Sequence, residues 1–456
     1  MVAVIAGNGQ GLFNTSLDLL GNQGVLGSSV MGQGGGRDYV NAATGGLVLQ
    51  ATDATASGAG VDLDLLRTYN SNGTLGDDVD GNGWRWNAER TVVFNGPGTP
   101  AQPVAGSTVT RTNGDGAKTV YTWNSASCRY LGTDGGGAND YLTYQANTWT
   151  WVDGSTHQKD VYGDSASAGT IGRLQSQTDA SGNQTLFHYD GTHRLDTITD
   201  LGSGQFIQLV YSGTAPQLTV NTYELPTDPA TGRLTGAPIT AGTPPLRQVR
   251  YTYDGTRIGT VTTVVNPGET TARYFTTTYA YVSPTDSHIT SVTQNDGSAA
   301  GMGTPYRVGF TYDAQGRVAT VQDANGLQTF HYATSTRTDI VVSGSGGVDP
   351  QTWSYSFDPA SGQLKQVLAP PLAPNAASLV TTFLYDAAGN VSRVTGNDGR
   401  AIIYQYDADG NVTLQRDSAG DTVSRTYDAN DNLLTETRYL TPDPVVEYIR
   451  SHNLYA

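Results

Sequence analysis

The segment Asp78-Val79-Asp80-Gly81-Asn82-Gly83-Trp84-Arg85-Trp86-Asn87-Ala88-Glu89 carries oxygen ligands at the spacing of a calcium loop. Such a loop sets acids or amides at positions 1, 3 and 5, glycine at 6 and glutamate at 12, so that the oxygens converge on one hard cation. Asp78, Asp80, Asn82 and Glu89 are therefore the candidate metal ligands, and calcium is the only cofactor the sequence suggests. The competing reading is a solvated turn that leads into a strand burying Trp84. It draws on flanks that read as strands, not helices, and on Arg85 standing where such loops carry an apolar residue.

Other chemistry finds less support. Asp407-Ala408-Asp409-Gly410-Asn411 also looks cation-like, but it recurs with Ala388 or Asn430 in place of Asp409, which fits a turn better than a ligand set. A pair of carboxylates for glycoside hydrolysis could be picked almost at will from 41 acids, most of them in turn positions. His157, His188, His193, His288, His331 and His452 show no metal-binding grouping, and no Gly-x-Ser-x-Gly elbow supports a nucleophile. Nothing here points to an enzyme.

The elements that position these residues form a repeat. Tyr385-Asp386-Ala387-Ala388-Gly389-Asn390 returns as Tyr406-Asp407-Ala408-Asp409-Gly410-Asn411 and as Tyr427-Asp428-Ala429-Asn430-Asp431-Asn432, each 21 residues after the last. A fixed period means one supersecondary unit stacked on copies of itself. Weaker copies carry Tyr189-Asp190, Tyr253-Asp254 and Tyr312-Asp313.

Before each Asp, aromatics sit two apart, as in Phe383/Tyr385 and Tyr404/Tyr406, which puts both rings on one face of a strand. The Asp starts a turn by accepting backbone N–H groups, and Gly or Asn supplies the left-handed position. A second strand follows, as in Val391-Ser392-Arg393-Val394, and ends in another turn. The unit is a hairpin, and the fold class is all-β: an antiparallel array of hairpins forming a curved sheet. The aromatics could be stacking platforms for sugars or the packed face of the sheet; the two-residue spacing favours packing.

Four stretches follow along the chain: a Gly-rich, irregular lead-in over 1–37, an N-terminal β-module over 38–145, the repeat array over 146–440, and a tail over 441–456. The formal charge of −16 disfavours nucleic acid and anionic lipid as partners, and the lone Cys128 allows no internal disulfide. No conventional secretory signal opens the chain, and no run of apolar residues is long enough to span a bilayer as a helix.

The Tyr-Asp repeats resemble the YD repeats of the Rhs family, which includes bacterial polymorphic toxins, wall-associated proteins, Tc toxin shells and teneurins. The N-terminal module is similar to that family's usual beginning: Gly46-Leu47-Val48-Leu49, then Arg67 to Ser71, then Leu75-Gly76 and Gly83-Trp84. The resemblance implies a hollow cocoon enclosing a toxic cargo, exported by a non-Sec route after a cytoplasmic stage. It implies a downstream shell region or toxin cargo as partner, with a surface adhesin or carbohydrate-binding module as the alternative. The family's Asp-Pro-x-Gly-Leu motif is absent, and the last segment begins a strand without its turn. The expectation is therefore the N-terminal part of a shell, whose free strand edge self-associates or pairs with a downstream half.

Overall fold

Pairing between neighbours in sequence builds nearly all of this protein: from Thr108–Thr112 to Leu433–Tyr439, each strand lies antiparallel to the next. The computed structural model describes residues 2–7, 9–10, 12, 30–31, 36–56, 63–73, 83–132, 140–154, 156–163, 171–226, 230, 239, 242–269, 272–295, 305–344, 349–373, 376–428 and 432–439. Among the described residues there is no helix, so the all-β expectation holds.

The first part of this sheet closes on itself. Strand Thr91–Phe94 pairs on one side with Thr108–Thr112 and on the other with the first residues of Ile171–Thr178, which completes a small barrel. Its interior is filled by alternating inward side chains, among them Phe94, Tyr121, Tyr130, Trp149, Tyr162 and Leu174. The division expected between residues 145 and 146 falls inside the hairpin joining Tyr141–Gln145 to Thr148–Val152. The second half of Ile171–Thr178 turns instead to Gln184–Tyr189, and there the sheet leaves the barrel and runs on as the repeat array.

A second sheet is built from Ala3–Ile5, Val30–Met31, Gly36–Asn41, Leu47–Ala56, Leu63–Asn70 and Trp84–Trp86. Ala3–Ile5 pairs parallel to Tyr39–Asn41, whereas the remaining strands pair antiparallel. Residues 1–37 were expected to be irregular, yet Val2 to Ala6 are fully buried. A strand covered on both faces has no alternation to read, and three residues give no period.

This N-terminal sheet lies on the concave face of the repeat sheet. One apolar core joins Val4, Leu49, Leu65 and Trp86 of the former to Ile207, Val249, Val292, Phe310, Ile340 and Phe383 of the latter. Within that concavity the chain's own first strands are bonded to the repeat sheet at Gln328, through Val2, and at Thr338, through Ala42. The convex face carries facing threonines bonded across strands, such as Thr262 to Thr276 at 3.0 Å and Thr311 to Thr320 at 2.6 Å.

Candidate functional site: the concave face and its turns

Each repeat turn is closed by its aspartate. Asp386 Oδ1 accepts the N–H groups of Ala388 and Asn390, both at 2.9 Å, and Asp407 Oδ1 accepts those of Asp409 and Asn411 at 3.0 and 2.9 Å. Asp190 and Asp313 do the same for residues two and four ahead, and Asp428 accepts the Asn432 N–H at 2.9 Å. Asp254 differs: its carboxylate pairs with Arg257 at 2.9 Å. The Thr192 hydroxyl and the Arg194 guanidinium beside Asp190, and the Arg317 guanidinium beside Asp313, together with these backbone donors hold both carboxyls below the usual carboxylate range. Asp407, the first acid of the cation-like stretch, is thus committed to its own turn, and Asp409 enters that turn through its backbone N–H.

The tyrosine of each repeat performs a second task. Tyr406 Oη donates to the Val391 carbonyl at 2.8 Å, Tyr427 to Val412 at 3.0 Å, Tyr385 to Leu364 at 2.7 Å and Tyr312 to Ile289 at 2.8 Å. In each case the acceptor is the residue just after the previous turn, paired across its hairpin with the previous repeat's Tyr or Phe. Tyr189 reaches Ala88 instead, at 3.3 Å, and the Tyr253 backbone N–H donates to Gln217. The hydroxyl thus ties one repeat to the one before it. Tyr406→Phe, which removes that bond and leaves the ring, is expected to lower stability by about 1 kcal/mol in urea unfolding.

A β-bulge precedes each of these aromatics. The register shifts between His188 and Tyr189, Thr252 and Tyr253, Thr311 and Tyr312, Leu384 and Tyr385, Gln405 and Tyr406, and Thr426 and Tyr427. Sequence reasoning missed it, although the signal is present: Ile258/Val261, Ile289/Val292, Val318/Val321 and Val391/Val394 stand three apart where an unbroken strand would place them two apart. The extra residue restores both to the inner face and adds local twist, so every repeat bends the sheet.

The N-terminal sheet is pinned to this face at defined points. Arg67, 1% exposed, donates to Asp53 at 2.9 Å and to Tyr279 Oη at 3.2 Å, and its guanidinium carbon lies 4.1 Å from the Trp84 ring centroid. Tyr69 Oη donates to the Ser287 carbonyl at 2.6 Å and accepts the Ile289 N–H at 3.2 Å. The Gly45 carbonyl accepts the Val318 N–H at 2.9 Å. Gly45 has φ +78°, and a β-carbon there would lie 2.3 Å from Arg317 Cβ, so only glycine allows this approach.

Asp38, on the same N-terminal sheet, is 1% exposed, and neither carboxylate oxygen has a hydrogen-bond partner among the described residues. Burial pushes its pKa from 3.8 to about 8, and Asp323 adds to the rise. The folded protein holds this proton up to about pH 8, whereas the unfolded chain releases it above about 3.8, so the fold loses stability as pH rises through that window. Asp38→Asn is expected to exceed the parent in stability by about 1–2 kcal/mol at pH 8, with the gap closing near pH 4 in paired urea titrations.

Of the proposed calcium ligands, Asp78, Asp80 and Asn82 lie outside the described residues. Glu89 is buried, and its Oε2 accepts the Trp86 N–H at 2.9 Å. Trp84 is buried against Tyr69 and Tyr279. Among the described residues no group of three or more His, Cys, Asp or Glu is placed to share a metal. His188 pairs with Asp196 and His288 with Asp286, both at 2.6 Å. The paired aromatics Tyr251 and Tyr355 are fully buried, which makes them core and removes them as sugar platforms.

The RHS Repeat family matches residues 170–205, 385–422 and 406–441, which carry Tyr189-Asp190, Tyr385-Asp386, Tyr406-Asp407 and Tyr427-Asp428. This chain belongs to the Rhs/YD-repeat family. Its N-terminal module matches a domain of unknown function, DUF6531, over residues 37–121. No curated protein matches the sequence.

Among solved structures, this YD-repeat chain is similar to TcdB2-TccC3, at 14% identity over 86% of this chain and 24% of that one, with a TM-score of 0.36. It is also similar to the Photorhabdus luminescens Tc holotoxin pore, at 13% identity over 86% and 24%, with a TM-score of 0.36. A porin-like protein from Bacteroides uniformis matches at 11% identity over 72% and 94%, with a TM-score of 0.15. The chain spans about a quarter of the length of the Tc structures. At such TM-scores these likenesses carry no argument about the YD-repeat sheet, which stands on its own strand register. Among the described residues no helix is long and apolar enough to cross a membrane.

Proposed function

We propose that this protein is a wall segment of a YD-repeat shell, acting by containment of a toxic polypeptide and not by catalysis, in competition between bacteria. One observation carries the reading. The concave face is a continuous apolar surface from Ile198 to Phe383, and polypeptide from the chain's own N-terminus is bonded to it from Ile289 to Thr338. The convex face is a hydroxyl-rich sheet suited to water. A wall of this kind buries a guest on one side and needs no reactive group, consistent with acids and tyrosines that are spent on turns and inter-repeat bonds. A further shell region, or the guest itself, would complete the inner face, and the assembly would leave the cell by a dedicated exporter.

Co-expression with the polypeptide encoded downstream tests this. The guest is expected to co-purify and to resist protease in the complex. A guest digested as fast with the chain as without it would overturn the reading.

A further inference from the structure

The N-terminal sheet docks on the repeats through a backbone group that every repeat possesses. Beyond each turn, the first residue of the returning strand gives its carbonyl to a tyrosine of the next repeat: Ile289 to Tyr312, Val318 to Tyr332, Val391 to Tyr406 and Val412 to Tyr427. In extended backbone the N–H and carbonyl of one residue point the same way, so the amide of that residue faces the same gap. At Ile289 the amide is met by Tyr69 Oη at 3.2 Å, and at Val318 by the Gly45 carbonyl at 2.9 Å. Both acceptors belong to the N-terminal sheet. Successive repeats set these donors two strands apart, about 9–10 Å by ordinary sheet spacing.

The cover stops before the array does. Among the described residues the N-terminal segment bonds the array at Ile289, Val318, Gln328 and Thr338, whereas Val391, Tyr404, Tyr406, Val412 and Tyr427 beyond them are only partly buried. We propose that the amides of Val391 and Val412, with the flanking Tyr406 and Tyr427 rings, form a docking ladder for an extended polypeptide that offers carbonyl oxygens at the repeat spacing. The occupant is argued from continuity: on the same face, in the same bulge register, the acceptors that engage Ile289 and Val318 are a backbone carbonyl and a tyrosine hydroxyl. Because donor and acceptor are both main chain at Val318, such a ladder accepts polypeptide with little regard to side-chain sequence. The inference rests on the wall reading above and names the contact through which a guest is held.

Amide hydrogen exchange on the intact, isotope-labelled chain tests it, with reduced carboxymethylated α-lactalbumin as the unfolded polypeptide probe. Ile289 and Val318 are expected to exchange slowly throughout. Val391 and Val412 are expected to exchange fast in the chain alone and at least about tenfold more slowly with saturating probe, the factor that corresponds to about 1.4 kcal/mol of protection. Binding that leaves these two amides unchanged would overturn the ladder while sparing the wall. Amides at Val391 and Val412 already as slow as Val318 without probe would overturn it too, and absence of any binding would overturn both.

Discussion

Asp160→Ala is expected to lower the stability of the barrel by about 3–5 kcal/mol, read as a shifted midpoint in guanidinium unfolding followed by Trp149 and Trp151 fluorescence. The carboxylate is fully buried and holds Arg90 at 2.8 Å and Arg111 at 2.9 Å, with the Gln177 and Gln158 amides on its other oxygen at 3.1 and 3.2 Å. Arg111 is 2% exposed, donates to Tyr162 Oη at 2.9 Å and stacks 3.7 Å from the Trp151 ring centroid. Without Asp160 its guanidinium has no neutralising charge and cannot reach water, which is why removing one partner costs more than the pair contributes. Burial raises the Asp160 pKa, but the two arginines outweigh it and hold it at about 2 against an ordinary 3.8. This contribution is therefore complete above about pH 4 and is lost as pH falls towards 2. Acid unfolding of the parent should therefore show a barrel transition that the Ala variant lacks.

Arg67→Ala carries the second large effect, also about 3–5 kcal/mol, because Asp53 would stay buried with no cation. Here the readout is local as well as global. Arg67 joins the N-terminal sheet to Tyr279, so its loss should expose Leu63–Asn70 to hydrogen exchange before the repeat strands open. The double change Arg67→Met with Asp53→Leu removes both charges and should recover most of the loss. A double variant no better than Arg67→Ala would mean that the Tyr279 contact, not the ion pair, holds the sheet.

The parts of this fold that depend on near neighbours were legible in the sequence. Asp386, Asp407 and Asp428 predicted their turns because an aspartate cap acts over four residues, and the aromatic pairs predicted an inner face because strand periodicity is local. The bulges were written at Ile258/Val261 and Val318/Val321, but a spacing of three on a strand reads as noise until the partner strand supplies the register. What joins distant segments was not legible. Thr91–Phe94 closes the barrel on Ile171–Thr178, and Gly45 meets Val318, through backbone groups that every residue carries. The concave-face site therefore emerges only in three dimensions, whereas Asp407, the first acid of the cation-like repeat stretch, is a turn cap. The Asp78 to Asn82 stretch keeps its two readings.

The bulge before each tyrosine has a consequence for size. A wall that bends at each 21-residue unit, as Tyr385, Tyr406 and Tyr427 mark them, has its arc set by the number of units. Duplicating or deleting one unit in the gene would then lengthen or shorten that arc in a discrete step without new side-chain chemistry, because each unit brings its own turn, bend and tether. The span of the wall becomes a heritable integer.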